Sequence, residues 1–176
     1  MDRVELQIGD LHWLDPASEE EDLCLHGSFY VKIGEEVVSD GTDPTWTISA
    51  SVLFLFRTLE NGHTPEKPVS ENLIPCCGFS MYKQEESEDC LVIECPNGIN
   101  WTVEKKKNSF LLITENQISE EVSFRKWRDS ILRLAEEIEE IYRISKSKRI
   151  LEEEKEGYDT FWVEWNRRKQ AATSIG

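Results

Sequence analysis

The apolar residues of this chain follow two different periods in separate stretches, and that change of period limits the possible folds more than any other feature. Residues 4–8 alternate apolar and polar side chains, which is typical of a strand with one buried face. Within residues 48–59 and 127–141, the apolar residues instead recur every three or four positions, which is the spacing of a helix face. The sequence therefore predicts an α+β fold.

The predicted strands are separated by short turn sequences. Pro96-Asn97-Gly98 is the clearest of these turns, and short turns of this kind join antiparallel neighbours. The strands are predicted at residues 4–8, 23–33, 37–38, 79–82, 91–95, 101–104 and 110–114. We expect a single antiparallel sheet of about five to seven strands, packed against two or three helices.

The most apolar helix is predicted in the first half of the chain. Its stripe is formed by Ile48, Val52, Leu55, Phe56 and Leu59. Residues 52–56 are apolar on every side, so we expect this helix to be buried beneath the sheet. Ser49 is the predicted N-cap, and Asn61-Gly62 is the predicted C-terminal stop.

Two further helices are predicted in the C-terminal part. One runs from about Ser123 to Ser145, and its inward stripe consists of Trp127, Ile131, Leu134, Ile138 and Ile141. The last helix carries four aromatic residues on one face, and residues 166–170 are expected in solvent. We predict one α+β domain over residues 1–176, in which residues 145–176 form a C-terminal helical extension packed on the same domain.

The formal net charge is −15, and the carboxylates come in dense clusters. These clusters lie at residues 19–22, 85–89, 136–140 and 152–156. Such a charge repels nucleic acid and anionic membranes and attracts basic partners. Plain solubility is the alternative explanation. The helix cluster at 136–140 has little cationic support at the i+4 spacing that would stabilise it.

The chain contains no apolar run of the roughly 18–20 residues that a membrane span needs, since the longest run is 52–56. The N-terminus carries Asp2 and Glu5 and lacks the apolar core of a signal peptide. We therefore expect a cytoplasmic protein that does not bind membranes.

The five cysteines are predicted to be thiols, because the compartment is reducing and the count is odd. They are Cys24, Cys76, Cys77, Cys90 and Cys95. No pair has the two-residue gap that lets one turn present two thiolates to zinc. We expect structural thiols and no metal or other cofactor. A small thiol or metal enzyme using Cys76, Cys77, Cys90 or Cys95 remains the alternative.

Catalytic motifs are missing from the sequence. There is no glycine-rich phosphate loop, no Gly-x-Ser-x-Gly and no His-Glu-x-x-His, and only three histidines. His26 shares strand parity with Cys24, but no third group is placed to orient the pair. The sequence therefore predicts a binding protein rather than an enzyme.

Three segments resemble parts of a family of small bacterial proteins. They are Ile74-Pro75-Cys76-Cys77-Gly78, Cys95-Pro96-Asn97-Gly98-Ile99-Asn100-Trp101, and Gly157-Tyr158 with Phe161-Trp162 and Glu164-Trp165. As a small, acidic α+β protein without a catalytic site, the chain is similar to the immunity proteins of bacterial toxin systems. That resemblance implies a protein that occludes a basic toxin, such as a nuclease.

The expected contact residues are the loop carboxylates, for steering, and two C-terminal rings, as anchors. They are Glu19, Glu20, Asp22, Glu85, Glu86, Asp89, Tyr158 and Trp162. A DNA-mimicking inhibitor of a nucleic-acid-binding enzyme, encoded by a phage or plasmid, is the alternative function. We expect a basic protein partner, no binding to nucleic acid, and a monomer or homodimer.

Overall fold

A computed structural model describes residues 3–14, 19–78 and 80–174, which form eleven strands and three helices. The strands are β1 (Val4–His12), β2 (His26–Ile33), β3 (Glu36–Asp40), β4 (Trp46–Thr47), β5 (Ile74–Pro75), β6 (Ser80–Gln84), β7 (Ser87–Ile93), β8 (Gly98–Ile99), β9 (Thr102–Lys105), β10 (Ser109–Ile113) and β11 (Ser119–Ser123). The helices are α1 (Ile48–Asn61), α2 (Phe124–Ile144) and α3 (Glu152–Ser174). The predicted α+β fold is confirmed.

The strands form four antiparallel sheets, so the prediction of a single sheet is wrong. One sheet has the order β1-β2-β3, with β4 also paired to β2, and a second has the order β11-β10-β9. The other two are the pairs β5-β8 and β6-β7. The β6-β7 hairpin pairs with no other named strand, and α3 packs on it.

Helix α1 is buried along almost its whole length, as its apolar sequence predicts. It contacts both other helices and strands β2, β5 and β9. Gly62 ends the helix with a positive φ of 69°, a conformation that glycine adopts without strain. The predicted N-cap is wrong: the helix is preceded by Thr47, and the Ser49 hydroxyl instead accepts a hydrogen bond of 3.2 Å from the Leu25 amide.

Helix α2 begins after Ser123, whose hydroxyl accepts a hydrogen bond from the Lys126 amide, as predicted for an N-cap. The predicted stripe is buried from Trp127 to Ile138, and Ile141 is partly buried. This stripe packs on α1 and on β1, β10 and β11.

The outer face of α2 is better neutralised than its sequence indicates. Arg133 pairs with Glu137 at 2.8 Å, and Arg143 pairs with Glu140 at 2.5 Å. The expectation of little cationic support on this face is therefore corrected.

Helix α3 packs across the β6-β7 hairpin, and at Gly157 its backbone lies close to that of Met81 in β6. Gly157 makes this approach possible, because a Cβ there would overlap the backbone carbonyl of Met81. The helix buries Tyr158, Phe161 and Trp165. The expectation that residues 166–170 lie in solvent is wrong for Arg168, which is only 6% exposed.

Two predicted features fall partly outside the described residues. They are the strand predicted at residues 79–82, which includes Phe79, and the domain predicted at residues 1–176, which includes residues 1–2, 15–18 and 175–176. Within the described part of the chain, no helix has both the length and the apolar character needed to cross a membrane.

Candidate partner-binding site

The β6-β7 turn and the outer side of α3 enclose a groove of about 970 Å³, which we call the hairpin groove. Six carboxylates and three cationic side chains line it, and Val163 supplies an apolar surface. The carboxylates are those of Glu85, Glu86, Glu88, Glu152, Glu156 and Asp159, and the cations are Lys83, Lys155 and Arg167. The groove is therefore net acidic.

Each cation of the hairpin groove is already paired with a carboxylate. Lys83 contacts Glu156 at 3.1 Å, and Lys155 contacts Asp159 at 2.5 Å. The third cation, Arg167, lies 3.8 Å from the Glu88 carboxylate. These pairs neutralise part of the groove and leave the remaining carboxylates uncompensated.

Three carboxylates of the groove have no ion pair within the described part of the chain: Glu85, Glu86 and Glu152. Glu152 stands in the first turn of α3, where the helix dipole favours a negative charge. Glu85 and Glu86 are exposed at the hairpin tip and have no such structural explanation. With the side chain of Val163 63% exposed nearby, this arrangement can accept a lysine or arginine side chain, charge and aliphatic stem together.

The hairpin also exposes apolar side chains that the sequence prediction missed. Tyr82 and Leu91 are cross-strand partners on the face that points away from α3, and Ile93 follows on the same face. Met81, Cys90 and Val92 alternate with them and are buried. This alternation was the sequence signal for an exposed apolar face next to the acidic tip.

Asp89, predicted to contact a partner, instead turns toward the protein. Its carboxylate accepts hydrogen bonds from Arg167 at 2.6 Å and from Arg168 at 2.8 Å. Burial raises the pKa of Asp89, but the charges of Arg168 and Arg57 outweigh burial, so this pKa lies below its usual value. Asp89 therefore holds α3 against the hairpin.

Glu164 is the centre of a charge network beneath the hairpin groove. Its carboxylate is fully buried and accepts hydrogen bonds from Arg57 at 2.8 and 2.9 Å and from Arg168 at 2.7 Å. A further hydrogen bond of 2.7 Å comes from the amide of Cys90. The network joins α1, β7 and α3, and thereby fixes the hairpin on which the groove is built.

The sequence contained a signal for this network. Glu164 and Arg168 fall three and seven positions after Phe161, on the same helix face as that ring and Trp165. A charged residue at a position of an apolar stripe predicts a buried ion pair, because a lone buried charge is too costly.

The first acidic cluster contacts the α2–α3 linker, residues 145–151. The Glu19 side chain accepts a hydrogen bond of 3.0 Å from the Lys146 amide, and the Glu20 side chain pairs with Arg149 at 2.9 Å. Lys148 donates to the Glu19 carbonyl at 2.6 Å. The predicted contact residues Glu19 and Glu20 are thus engaged by basic residues of the same chain.

Asp22 has a local structural role. Its carboxylate accepts hydrogen bonds from the amides of Leu14, at 2.8 Å, and Cys24, at 3.1 Å. It also lies 3.8 Å from the His26 ring. Asp22 therefore orders the entry into β2.

Tyr158 and Trp162 pack against other aromatic rings. Tyr158 is 9% exposed, and the half-buried Trp162 meets the Tyr142 ring edge-to-face at 4.8 Å. Trp162 also contacts Phe161 and Trp165. These contacts place both predicted anchors in or beside the core.

The cysteines differ from the prediction of five thiols. Cys76 and Cys95 form a disulfide, because pairing of β5 with β8 brings together residues that are 19 positions apart. Cys24, Cys77 and Cys90 are free. The sulfurs of Cys76, Cys77 and Cys95 lie within 4.8 Å of one another, a set that could hold a metal ion.

The two buried thiols are poorly suited to nucleophilic catalysis. Burial and the Glu164 carboxylate raise the pKa of Cys90 to about 12. Burial raises the pKa of Cys24 well above its usual value, and its Sγ donates to the Gly78 carbonyl at 3.2 Å. His26, two positions after Cys24, is also buried. Neither of its ring nitrogens has a hydrogen bond to a described residue.

Compared with known protein families, with curated proteins and with solved structures, the chain matches none. The contacts and charges of the described residues are therefore the basis for a function.

Proposed function

We propose that this chain is an acidic binding protein that neutralises a basic protein partner, and that the partner is a bacterial toxin for which it acts as an immunity protein. The observation that carries this proposal is the uncompensated charge of Glu85, Glu86 and Glu152 around the exposed side chain of Val163. Like charges gathered at a hairpin tip cost stability unless something binds them.

The net charge of −15 supports long-range attraction of such a partner. Steering by a charge of this kind acts over a Debye length of about 8 Å at physiological salt. It raises association rates more than it raises final affinity. The loop cluster at 19–22 contributes less, because Glu19 and Glu20 already contact the linker.

The apolar side chains beside the tip support a second, short-range step. Tyr82 and Leu91 are exposed on the outer face of the hairpin, and tyrosine is among the residues that most often dominate interface energetics. These two side chains replace Tyr158 and Trp162 as the proposed anchors. Because Glu164 and its partners hold the hairpin in place, little ordering is needed on binding.

A cationic peptide tests the steering step. We expect a double variant, Glu85→Gln with Glu86→Gln, to bind a lysine-rich peptide about threefold more slowly at low salt, with a flatter salt dependence. The matched control is Glu115→Gln with Glu136→Gln, which removes the same charge from two exposed positions elsewhere. Thermal stability should be unchanged or slightly higher in the hairpin variant and unchanged in the control.

Equal slowing in both variants would show that only net charge matters, and the clusters would then serve solubility. A basic protein that copurifies with this chain, or that a neighbouring gene encodes, provides the second readout. Release of that partner by DNA would favour the DNA-mimic function, whereas a partner that DNA does not displace fits occlusion of a toxin.

A further inference from the structure

Three cysteine sulfurs meet at one end of the β5-β8 pair. Cys76 and Cys77 directly follow β5, and Cys95 lies three positions before the first residue of β8. The Sγ atoms of Cys76 and Cys77 are 3.6 Å apart, and all three sulfurs lie within 4.8 Å of one another. All three residues are partly exposed.

Hydrogen bonds and strand pairing hold these cysteines in addition to the disulfide. Ile74 and Pro75 pair with Ile99 and Gly98, and the Cys76 amide donates to the Asn97 carbonyl at 3.3 Å. The Thr47 hydroxyl donates to the Cys76 carbonyl at 3.3 Å. The sulfurs therefore stay near one another when the Cys76–Cys95 bond is broken.

We propose that reduction of the Cys76–Cys95 disulfide creates a three-thiolate site that binds one zinc ion. A zinc–sulfur bond is about 2.3 Å long, so two sulfurs of a tetrahedral zinc site lie about 3.8 Å apart. The separation of 3.6 Å between Cys76 and Cys77 is already close to that value. An all-sulfur set selects zinc and other soft ions over magnesium and calcium.

The site is open to solvent on one side, because all three cysteines are partly exposed. Water takes the fourth position. Cys24 and Cys90 are buried elsewhere, each with its Sγ close to a backbone carbonyl, and do not join the set.

A dithiol can serve as the reductant of the Cys76–Cys95 disulfide. The dithiol gives two electrons and two protons to the Cys76–Cys95 bond, which becomes two thiols, while the dithiol becomes a disulfide. The three thiols then release three protons as they bind one zinc ion. The disulfide and the zinc site use the same two sulfurs, Cys76 and Cys95, so zinc binds only to the reduced protein.

Cadmium provides the spectroscopic probe for the site. The 176-residue chain is reduced with a phosphine, its thiols are counted, and the phosphine is removed in the absence of oxygen. Cadmium and zinc are then titrated, with sulfur-to-cadmium charge-transfer absorption as the readout. We expect one tight equivalent in the reduced protein and none in the oxidised protein.

Single Cys→Ser changes at 76, 77 and 95 should each weaken binding at least about tenfold, since even indirect contacts to a metal site are worth 10–100-fold. Cys90→Ala is the matched control and should bind normally. X-ray absorption of the zinc form should show three sulfur neighbours. The proposal is overturned if the disulfide resists the phosphine, if the reduced protein binds no metal, or if Cys77→Ser binds as tightly as Cys90→Ala.

Discussion

Glu164→Gln should be among the most destabilising single changes in this protein. The substitution keeps the size of the side chain, removes its charge and replaces one acceptor oxygen by an NH2 group, which cannot accept the hydrogen bonds that both Glu164 oxygens accept. Glu164 supplies the carboxylate that pairs with Arg57, whose other hydrogen bonds go to the carbonyls of Val69 and Cys90. Arg168 retains Asp89 and Glu60 as partners, so Arg57, whose side chain is 11% exposed, is the cation left without a hydrogen-bonded carboxylate.

The expected loss of unfolding free energy follows from the charge of Arg57, which has lost its carboxylate partner. Removing one partner of a buried ion pair typically costs about 3–5 kcal/mol of unfolding free energy. For a chain of this length, each kcal/mol lowers the melting temperature by roughly 2–4 °C, so the melting temperature should fall by roughly 6–20 °C.

Urea unfolding followed by tryptophan fluorescence measures the free energy, and calorimetry measures the melting temperature. Glu86→Gln removes the same charge from the exposed hairpin tip and should leave both quantities unchanged or slightly higher. A double-mutant cycle with Arg57→Met separates the ion pair from packing effects. Coupling above about 1 kcal/mol is expected, because the two residues are in direct contact.

A Glu164→Gln loss below about 1 kcal/mol would refute the argument that this carboxylate compensates buried cations. A large loss with no coupling to Arg57 would also refute it, because the cost would then arise from local packing.

Two other changes test the packing and the buried histidine. Gly157→Ala should lower the unfolding free energy by about 1–3 kcal/mol in urea titrations, because the added methyl group overlaps the Met81 carbonyl; the solvent-facing change Gln170→Ala should not. Burial lowers the pKa of His26, so the unfolded state takes up a proton first as the pH falls through about 6.5, and stability falls with it. His26→Gln should flatten the stability profile measured between about pH 8 and pH 5, and an unchanged slope would assign the acid sensitivity to other groups.

Local periodicity was sufficient to predict the helices. The stripes of α1 and α2 depend only on residues within one helix, and their burial matches the prediction. The β6-β7 and β9-β10 pairs were also predictable, because short turns join their strands.

Features that depend on distant partners were not predicted. β5 and β8 are two residues long and pair across more than twenty positions, so neither has a local pattern to reveal it. The disulfide depends on that pairing. The acidic loop at 19–22 was expected to face a partner, because nothing in the sequence places the linker residues Lys146 and Arg149 against it.

The charge network also sets the order in which the native state can be completed. Glu164 lies 74 residues after Cys90 and 107 residues after Arg57, and synthesis proceeds from the N-terminus. Until α3 has been made, Arg57 has no Glu164 to pair with, and the inner face of the hairpin lacks its cover. Docking of α3 is therefore a late event that closes a long loop of chain, and contacts of such high sequence separation slow folding. A nascent chain stalled before α3 should keep Cys90 reactive toward thiol reagents, whereas the finished protein protects it.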